Sequence, residues 1–159
     1  YLIEYAKQNG FHHEFLAAAR RINNSMPIFT VDMLVDGLNQ IEKSIKNTKV
    51  TVLGLAYKAD VGDDRESPSY SVIKELKRRG AIVETFDPYV LHKSTTKILN
   101  KALDSADAVI IATNHKEFMS LTPELLAKHK IRVVVDGKNC LDKEAFKDSK
   151  IIYKGIGRC

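Results

Sequence analysis

The residues of this chain that can do chemistry are concentrated in one segment, residues 56–66. Six of its eleven residues are charged: Lys58, Asp60, Asp63, Asp64, Arg65 and Glu66. The segment follows an apolar run at 49–55 and precedes Ser67-Pro68. That pair is typical of a helix start, because serine caps helices and proline needs no N–H partner in the first turn. A plain connection takes only about two to six residues. A longer charged loop at the carboxyl end of a strand indicates a ligand site.

Two cations in this loop, Lys58 and Arg65, have the chemistry to bind an anion. A planar guanidinium with fixed donors suits a phosphate better than an ammonium does. Each cation also has a simpler interpretation, Lys58 as a solvated loop lysine and Arg65 as an ion-pair partner of the adjacent acids. A metal site built from Asp60, Asp63 and Asp64 is disfavoured, because their spacing matches no calcium-binding loop.

A second polar loop, residues 136–139 (DGKN), follows the apolar run at 131–135. If the two strands are neighbours, Lys58 and Lys138 converge on one crevice. Such a pair suits a pyrophosphate, since each charge-assisted contact contributes about 1.5–3 kcal/mol where water is excluded. We interpret the next residue, Cys140, as a buried structural thiol and not a nucleophile, because the sequence places no histidine to activate it.

The segment GLAYKADVGDDRESPS, residues 54–69, closely resembles the start of the C-terminal domain of the UDP-glucose/GDP-mannose dehydrogenase family. That family has the pattern G-[FL]-[AS]-[FY]-K-x-[DN]-[TIV]-x-D-x-R-x-S-[PS] here, and the match is nearly continuous. The resemblance covers essentially the whole chain. Residues 1–47 resemble the end of the family's central helical region, through which members dimerise, and residues 48–159 resemble its UDP-sugar-binding α/β domain.

The resemblance implies roles for four residues. Lys58 is expected to contact the nucleotide-sugar, and Tyr57 to line the same pocket, although a strand-end aromatic can also pack on the core. Arg65 matches the arginine that reaches the phosphates of NAD. Lys138 matches a basic substrate-binding position that is most often arginine, so the charge is kept and the two-donor geometry is lost. No catalytic or metal-binding residue is expected.

In the family, the catalytic cysteine lies in a G-x-C-x-P-x-D segment upstream of a helix similar to YLIEYAK, and the Rossmann domain and catalytic lysine lie earlier. Because those patterns are missing and the first residue is not methionine, we expect a fragment that binds UDP without catalysing oxidation. NAD is expected to be bound mainly by the missing N-terminal domain, since Gly54 begins no G-x-G-x-x-G turn.

The complete enzyme implied by the resemblance is an NAD-dependent nucleotide-sugar 6-dehydrogenase, which oxidises a primary alcohol to a carboxylate with two NAD. The ending IIYKGIGR, residues 151–158, is most similar to members that act on UDP-N-acetylmannosamine in polysaccharide biosynthesis. UDP-glucose is the nearest alternative substrate. The alternative from another class is a non-catalytic interaction module that pairs with another chain through the helix at 27–46.

The elements that must position these residues alternate between strand and helix. Apolar runs predict strands at 49–55, 81–86, 108–113, 131–136 and 151–153, and helices at 68–79, 95–104 and 122–128. This alternation predicts an α/β fold with a doubly wound, five-stranded parallel sheet, Rossmann-like in form. A phospho-receiver domain has a similar sheet, but the third strand here ends without the aspartate that such a domain phosphorylates.

A long helical segment is predicted ahead of the sheet. Residues 1–9 are expected to form a short helix, and Pro27 is expected to interrupt the next one near Ser25–Met26. From 27 to 46 the apolar residues recur at intervals of three and four, a heptad-like seam: Val31, Leu34, Leu38, Ile41 and Ile45. The seam packs either on the chain's own domain or, as the resemblance favours, in a dimer interface.

Composition excludes some classes of protein. The formal net charge of +5 permits anionic partners, but basic residues are interleaved with acids and form no arginine-rich arm, so nucleic-acid binding is not expected. No run of eighteen apolar residues and no signal-peptide pattern is present. Because the 2 cysteines suit a reducing compartment, we expect a cytoplasmic protein. The 5 histidines show no metal-ligand spacing.

Overall fold

The five predicted strands form one sheet in the computed structural model, which describes residues 13–104 and 106–158 together with Tyr5 and Gln8. The strands are β1 (Lys49–Leu53), β2 (Ile82–Phe86), β3 (Ala108–Ile111), β4 (Val133–Asp136) and β5 (Ile152–Gly155). The helices are α1 (Glu14–Asn39), α2 (Ser69–Arg78), α3 (Leu99–Leu103) and α4 (Pro123–Lys128), with 3-10 turns at Lys116–Phe118 and Lys143–Phe146.

All neighbouring strands are parallel, in the order β2-β1-β3-β4-β5. The predicted doubly wound, five-stranded parallel sheet is therefore confirmed. The chain order reverses between β1 and β3, and open sheets of this kind place their ligands outside the carboxyl ends of the strands at such a switch point. The strands β1 and β4 are not neighbours, because β3 lies between them.

Helices cover both faces of the sheet, which is why its central strands β1, β3 and β4 are buried on both sides. On one face, Leu34 and Leu38 of α1 and Leu76 of α2 pack with the strands in one buried cluster. On the other face, Leu103 of α3 and Leu126 of α4 belong to a second buried cluster.

Pro27 is expected to kink or restart the helix near Ser25–Met26, and the restart is wrong, because α1 runs continuously from Glu14 to Asn39 with Pro27 inside it. The turns that follow Pro27 are anchored on the sheet by three fully buried residues, Val31, Leu34 and Leu38. This packing offsets the helical hydrogen bond that proline cannot donate.

The heptad-like seam packs on the chain's own sheet, the simpler of its two interpretations. The helix ends at Asn39, earlier than predicted, and Ile41 and Ile45 contact the same buried cluster from the turns that follow. The predicted helix at 1–9 lies mostly outside the described residues, and the division between 47 and 48 stays a prediction. None of the described helices combines the length and apolar character needed to cross a membrane.

The contact between α1 and β4 depends on a glycine. A Cβ at Gly37 would lie 2.6 Å from Cγ1 of Val133, a fully buried residue of β4. We predict that Gly37→Ala lowers the free energy of unfolding by about 1–3 kcal/mol, although alanine is the better helix former. Urea denaturation followed by circular dichroism measures the change.

The matched control is Asp36→Ala, one residue earlier on the exposed side of the same helix. It is expected to change the free energy of unfolding by less than about 0.5 kcal/mol. A Gly37→Ala variant more stable than the native chain would show that α1 can move away from β4 without loss of packing.

Candidate functional site

A buried carboxylate organises the loop that follows β1. Asp87, directly after β2, is fully buried, and its oxygens accept hydrogen bonds from three loops. Oδ2 accepts from the backbone N–H groups of Leu55 at 2.6 Å and Ala56 at 2.8 Å, and lies 3.0 Å from Nε2 of His115. Oδ1 accepts from the N–H groups of residues 89 and 90 at 2.7 and 3.0 Å. The loops after β1, β2 and β3 therefore meet at one charge.

Burial alone would raise the pKa of Asp87, because a carboxylate loses hydration there. The hydrogen bonds from His115 and from the backbone N–H groups outweigh burial and lower the pKa to about 2. Asp87 is therefore ionised at neutral pH, and its charge strengthens each hydrogen bond that it accepts.

The predicted cofactor-binding residue, Arg65, pairs with the acid two residues before it. Its Nε and Nη2 donate to the carboxylate of Asp63 at 2.9 and 2.8 Å, and these bonds lower the pKa of Asp63 to about 2. The Arg65 side chain is 86% exposed. The structure therefore shows the local ion pair and leaves the guanidinium in solvent.

The neighbouring Asp64 holds the end of the loop. It is buried, accepts from Nζ of Lys93 at 2.6 Å and also from the hydroxyl of Tyr70. The bond from Lys93, followed by that from Tyr70, lowers the pKa of Asp64. The loop thus carries an anchored acid beside an exposed arginine.

The structure supports Ser67 as the cap of α2. The helix is assigned from Ser69, but Pro68 already has helical dihedral angles, and the backbone N–H of Ser69 donates to the Ser67 hydroxyl at 3.4 Å. The Ser67 hydroxyl lies 2.8 Å from the Ser69 hydroxyl and 3.3 Å from the carbonyl oxygen of Ala56. Ser67 therefore ties the start of α2 to the β1 loop.

A crevice of about 660 Å³ lies beside these loops. Its lining residues come from α1 (Arg20, Asn23, Asn24, Pro27), from the β1 loop and the start of α2 (Tyr57, Glu66, Ser67, Pro68, Ser71) and from the β4 loop (Lys138). The crevice is thus built from three separate segments of the chain.

The crevice brings together two of the four predicted residues. Tyr57 and Lys138 share it even though β1 and β4 are not neighbours. Lys58 is exposed on the same loop but is not among the lining residues, and Arg65 is paired with Asp63.

The sequence reasoning missed the wall that α1 contributes. Residues 20, 23, 24 and 27 follow the i, i+3, i+4, i+7 spacing of one helix face. They lie on the same face as the seam residues Val31, Leu34 and Leu38, in earlier turns of the helix. The available signal was therefore the change from apolar to polar residues along one helix face.

The β4 loop is anchored by a second buried carboxylate. Asp136 is fully buried and accepts from the backbone N–H of Lys138 at 3.0 Å, the N–H of Leu141 at 2.8 Å and the hydroxyl of Tyr153 at 3.1 Å. Burial, together with the Asp136 charge, raises the pKa of Cys140 to about 12. Cys140 is therefore a protonated thiol at neutral pH, as predicted for a structural cysteine.

The crevice has the chemistry of an anion-binding site. Arg20 and Lys138 supply cations, and the first turn of α2, the positive end of a helix dipole, forms part of its wall through Ser71. Within the described residues, no group of three or more His, Cys, Asp or Glu side chains is placed to hold a metal ion.

The glycine in the turn after β1 is required for packing. A Cβ at Gly54 would lie 2.5 Å from Cβ of Thr113, and Gly54 has a φ of +94°, so a side chain there would clash and strain the backbone. This glycine lets the segments that follow β1 and β3 approach each other closely.

A doubly wound parallel sheet with a cationic crevice at the carboxyl ends of its strands defines an α/β domain of the class that binds phosphorylated ligands. The sequence model described as "UDP-glucose/GDP-mannose dehydrogenase family, UDP binding domain" matches residues 51–143. The chain belongs to the UDP-glucose/GDP-mannose dehydrogenase family.

Three similar proteins illustrate the relationship. The chain is 36% identical over 141 residues to UDP-N-acetyl-D-mannosamine dehydrogenase of Pyrococcus horikoshii, covering 88% of this chain and 32% of the relative. It is 30% identical over 162 residues to UDP-glucose 6-dehydrogenase of Rickettsia bellii, covering 95% of this chain and 37% of the relative.

The third is a solved structure, NDP-N-acetyl-D-galactosaminuronic acid dehydrogenase from Methanosarcina mazei. It superimposes with a TM-score of 0.85 at 30% identity, over 89% of this chain and 31% of that one. The chain thus spans about a third of the length of the relatives that it matches.

We predict that Asp87→Asn destabilises the fold by about 3 kcal/mol at pH 7, because an amide cannot accept from all the donors that face the carboxylate. The low pKa of Asp87 contributes about 2 kcal/mol of stability. Because the folded pKa is lowered, that stability is present above about pH 4 and is lost as the pH falls towards 2.

Urea denaturation between pH 7 and pH 2 measures both effects. The difference between the native chain and Asp87→Asn is expected to narrow below pH 4, and the exposed control Asp148→Asn is expected to behave like the native chain throughout. A difference that stays constant down to pH 2 would contradict the lowered pKa.

Proposed function

We propose that this chain binds the UDP part of a nucleotide-sugar, as the C-terminal part of an NAD-dependent UDP-sugar 6-dehydrogenase. The observation that carries the proposal is the crevice formed jointly by Tyr57, Lys138 and the first turn of α2. The family model that matches residues 51–143 is described as a UDP binding domain, which also supports the proposal.

In this proposal the β1 and β4 loops contact the ligand from two sides. Lys138 neutralises a phosphate at the carboxyl end of β4, and Tyr57 offers an aromatic face that is half exposed. Lys58, exposed beside Tyr57, turns towards the diphosphate once it is bound. Hydrogen bonds to buried carboxylates hold the backbone at the start of each loop, and the side chains can change rotamer when the ligand binds.

We propose UDP-N-acetylmannosamine as the substrate of the complete enzyme. The support is the 36% identity to a relative that bears this activity in its name. UDP-glucose is the alternative, supported by the Rickettsia bellii relative at 30% identity. In either case the C6 alcohol is oxidised to a carboxylate, and two NAD accept the hydrides.

NAD is proposed to bind mainly outside these residues. The support is that Gly54 begins no G-x-G-x-x-G pattern, whereas the Arg65 guanidinium is exposed and carries a fork of donors suited to phosphate. Arg65 would exchange its bond to Asp63 for a cofactor phosphate. The chain itself is proposed to bind substrate without catalysing its oxidation.

We further propose that the complete enzyme is a homodimer or a larger homo-oligomer. Because the seam of α1 is buried on its own sheet, the support comes from a different face of the helix. Phe15, Ile22 and Phe29 recur every seven residues and are 83%, 64% and 48% exposed. An apolar stripe with that spacing is typical of a helix that pairs with another copy.

Calorimetric titration with UDP tests the binding proposal. We predict that Lys58→Ala and Lys138→Ala each weaken UDP binding about three- to tenfold, because each removes one charge-assisted contact that is partly screened by solvent. Lys150→Ala is the matched control, an exposed lysine at the amino end of β5, and is expected to leave the affinity unchanged.

Each titration has an outcome that contradicts a specific statement. Unchanged affinity in Lys58→Ala would remove that lysine from the site, and no UDP binding by the native chain would refute binding by these residues alone. NAD is expected to give no binding heat. Turnover of a UDP-sugar by this chain alone would contradict the proposed absence of catalytic residues.

Sedimentation velocity tests the oligomer. We predict that Ile22→Glu shifts the chain towards monomer, because a carboxylate would be desolvated in the helix pair. Arg21→Glu introduces the same group one position away on the exposed helix surface and is expected to have a smaller effect. A native chain that sediments as a monomer at all concentrations would refute pairing through this stripe.

A further inference from the structure

His115 is fully buried beneath the loop that carries Tyr57 and Lys58, and it does not line the crevice. Its Nε2 lies 3.0 Å from Oδ2 of Asp87, and its Nδ1 lies 2.9 Å from the backbone nitrogen of Asp60. The ring is enclosed by two aromatic side chains, Tyr89 and Phe118, at centroid distances of 4.9 and 5.5 Å.

These contacts define the protonation state of the ring. A backbone N–H can only donate, so Nδ1 accepts from Asp60 with its lone pair. The ionised carboxylate of Asp87 can only accept, so Nε2 carries the proton. The Asp60 carboxylate lies 3.7 Å from Nδ1 and accepts instead from the N–H of Lys116 at 3.1 Å. His115 is therefore neutral, with its proton on Nε2.

The loop above His115 needs support from the interior. Asp60 has a φ of 58°, the left-handed conformation that L-residues rarely adopt. The base of the loop is closed by the Tyr57 N–H, which donates to the carbonyl oxygen of Asp63 at 2.8 Å. The bond from Asp60 to His115 ties the middle of the same loop to the buried Asp87.

We propose that His115 is a positioning residue of the crevice, which fixes the loop at 57–63 so that Tyr57 and Lys58 are preordered for a nucleoside diphosphate. The ring transmits the fixed position of Asp87 to Asp60 through two hydrogen bonds in series. The ligand in this proposal rests on the proposed function, whereas the order of the loop can be measured without any ligand.

Two variants separate the two hydrogen bonds. His115→Asn keeps an oxygen acceptor close to the position of Nδ1 and loses the contact with Asp87. His115→Gln keeps an N–H donor close to the position of Nε2 and loses the acceptor for Asp60. Each variant breaks one of the two hydrogen bonds in the series, so each is compared with the native chain.

We expect His115→Gln and His115→Asn each to bind UDP about tenfold more weakly than the native chain, because each breaks one of the two buried hydrogen bonds. Hydrogen exchange measured by NMR is expected to be faster at the Asp60 amide in His115→Gln by a similar factor. His129→Gln is the control, since Nδ1 of His129 contacts Asp104 at 2.9 Å before β3, at the opposite edge of the sheet. It is expected to leave both quantities unchanged.

The imidazole ¹⁵N spectrum of the native chain supplies a test that needs no substitution. A proton on Nε2 alone is expected, and a proton on Nδ1 would overturn the proposal. Native UDP affinity and native Asp60 exchange in both variants would overturn it as well. If the native chain binds no UDP, the proposed function fails, and the exchange rates alone then decide whether His115 orders the loop.

Discussion

The charge on Asp87 is the interaction on which the crevice depends. Where β1 ends, the N–H groups of Leu55 and Ala56 leave the strand ladder while still buried, and buried donors need an acceptor. Asp87 lies at the end of the adjacent strand and accepts from both, and it also accepts from its own loop. The cost of burying a carboxylate is offset by the number of donors that surround it. The loop that carries Tyr57 therefore begins from a fixed base.

The same principle recurs at β4, where the buried Asp136 accepts from the backbone that presents Lys138. The loops after β1 and β4 thus each combine a backbone held by a buried carboxylate with an exposed lysine, Lys58 in one and Lys138 in the other. This arrangement suits an anion, because the backbone is ordered before binding and the long side chains keep their freedom until a ligand arrives. The Asp136 charge beside Cys140, together with burial, also raises the pKa of that thiol.

The helix α1 serves two purposes through two halves of one face. In its second half, Leu34 and Leu38 complete the core above the sheet, and in its first half, Arg20 and Asn23 form one wall of the crevice. The crevice therefore draws on both sides of the division predicted between 47 and 48. The buried half of the helix anchors the half that bears the crevice residues.

Local patterns in the sequence determined the five strands, their parallel arrangement and the two polar loops at 56–66 and 136–139. An apolar run such as 49–55 is stable only with both faces covered, and carboxyl-end loops such as 136–139 must then meet at one edge. Lys138 could be singled out for that reason, whereas Tyr57 was predicted only from the family resemblance. The continuity of α1 through Pro27, the pairing of Arg65 with Asp63 rather than another acid, and the bridge from Asp60 through His115 to Asp87 were decided only by the tertiary structure. Each of these depends on how side chains and elements pack, and a local pattern contains no information about which distant residues that packing brings together.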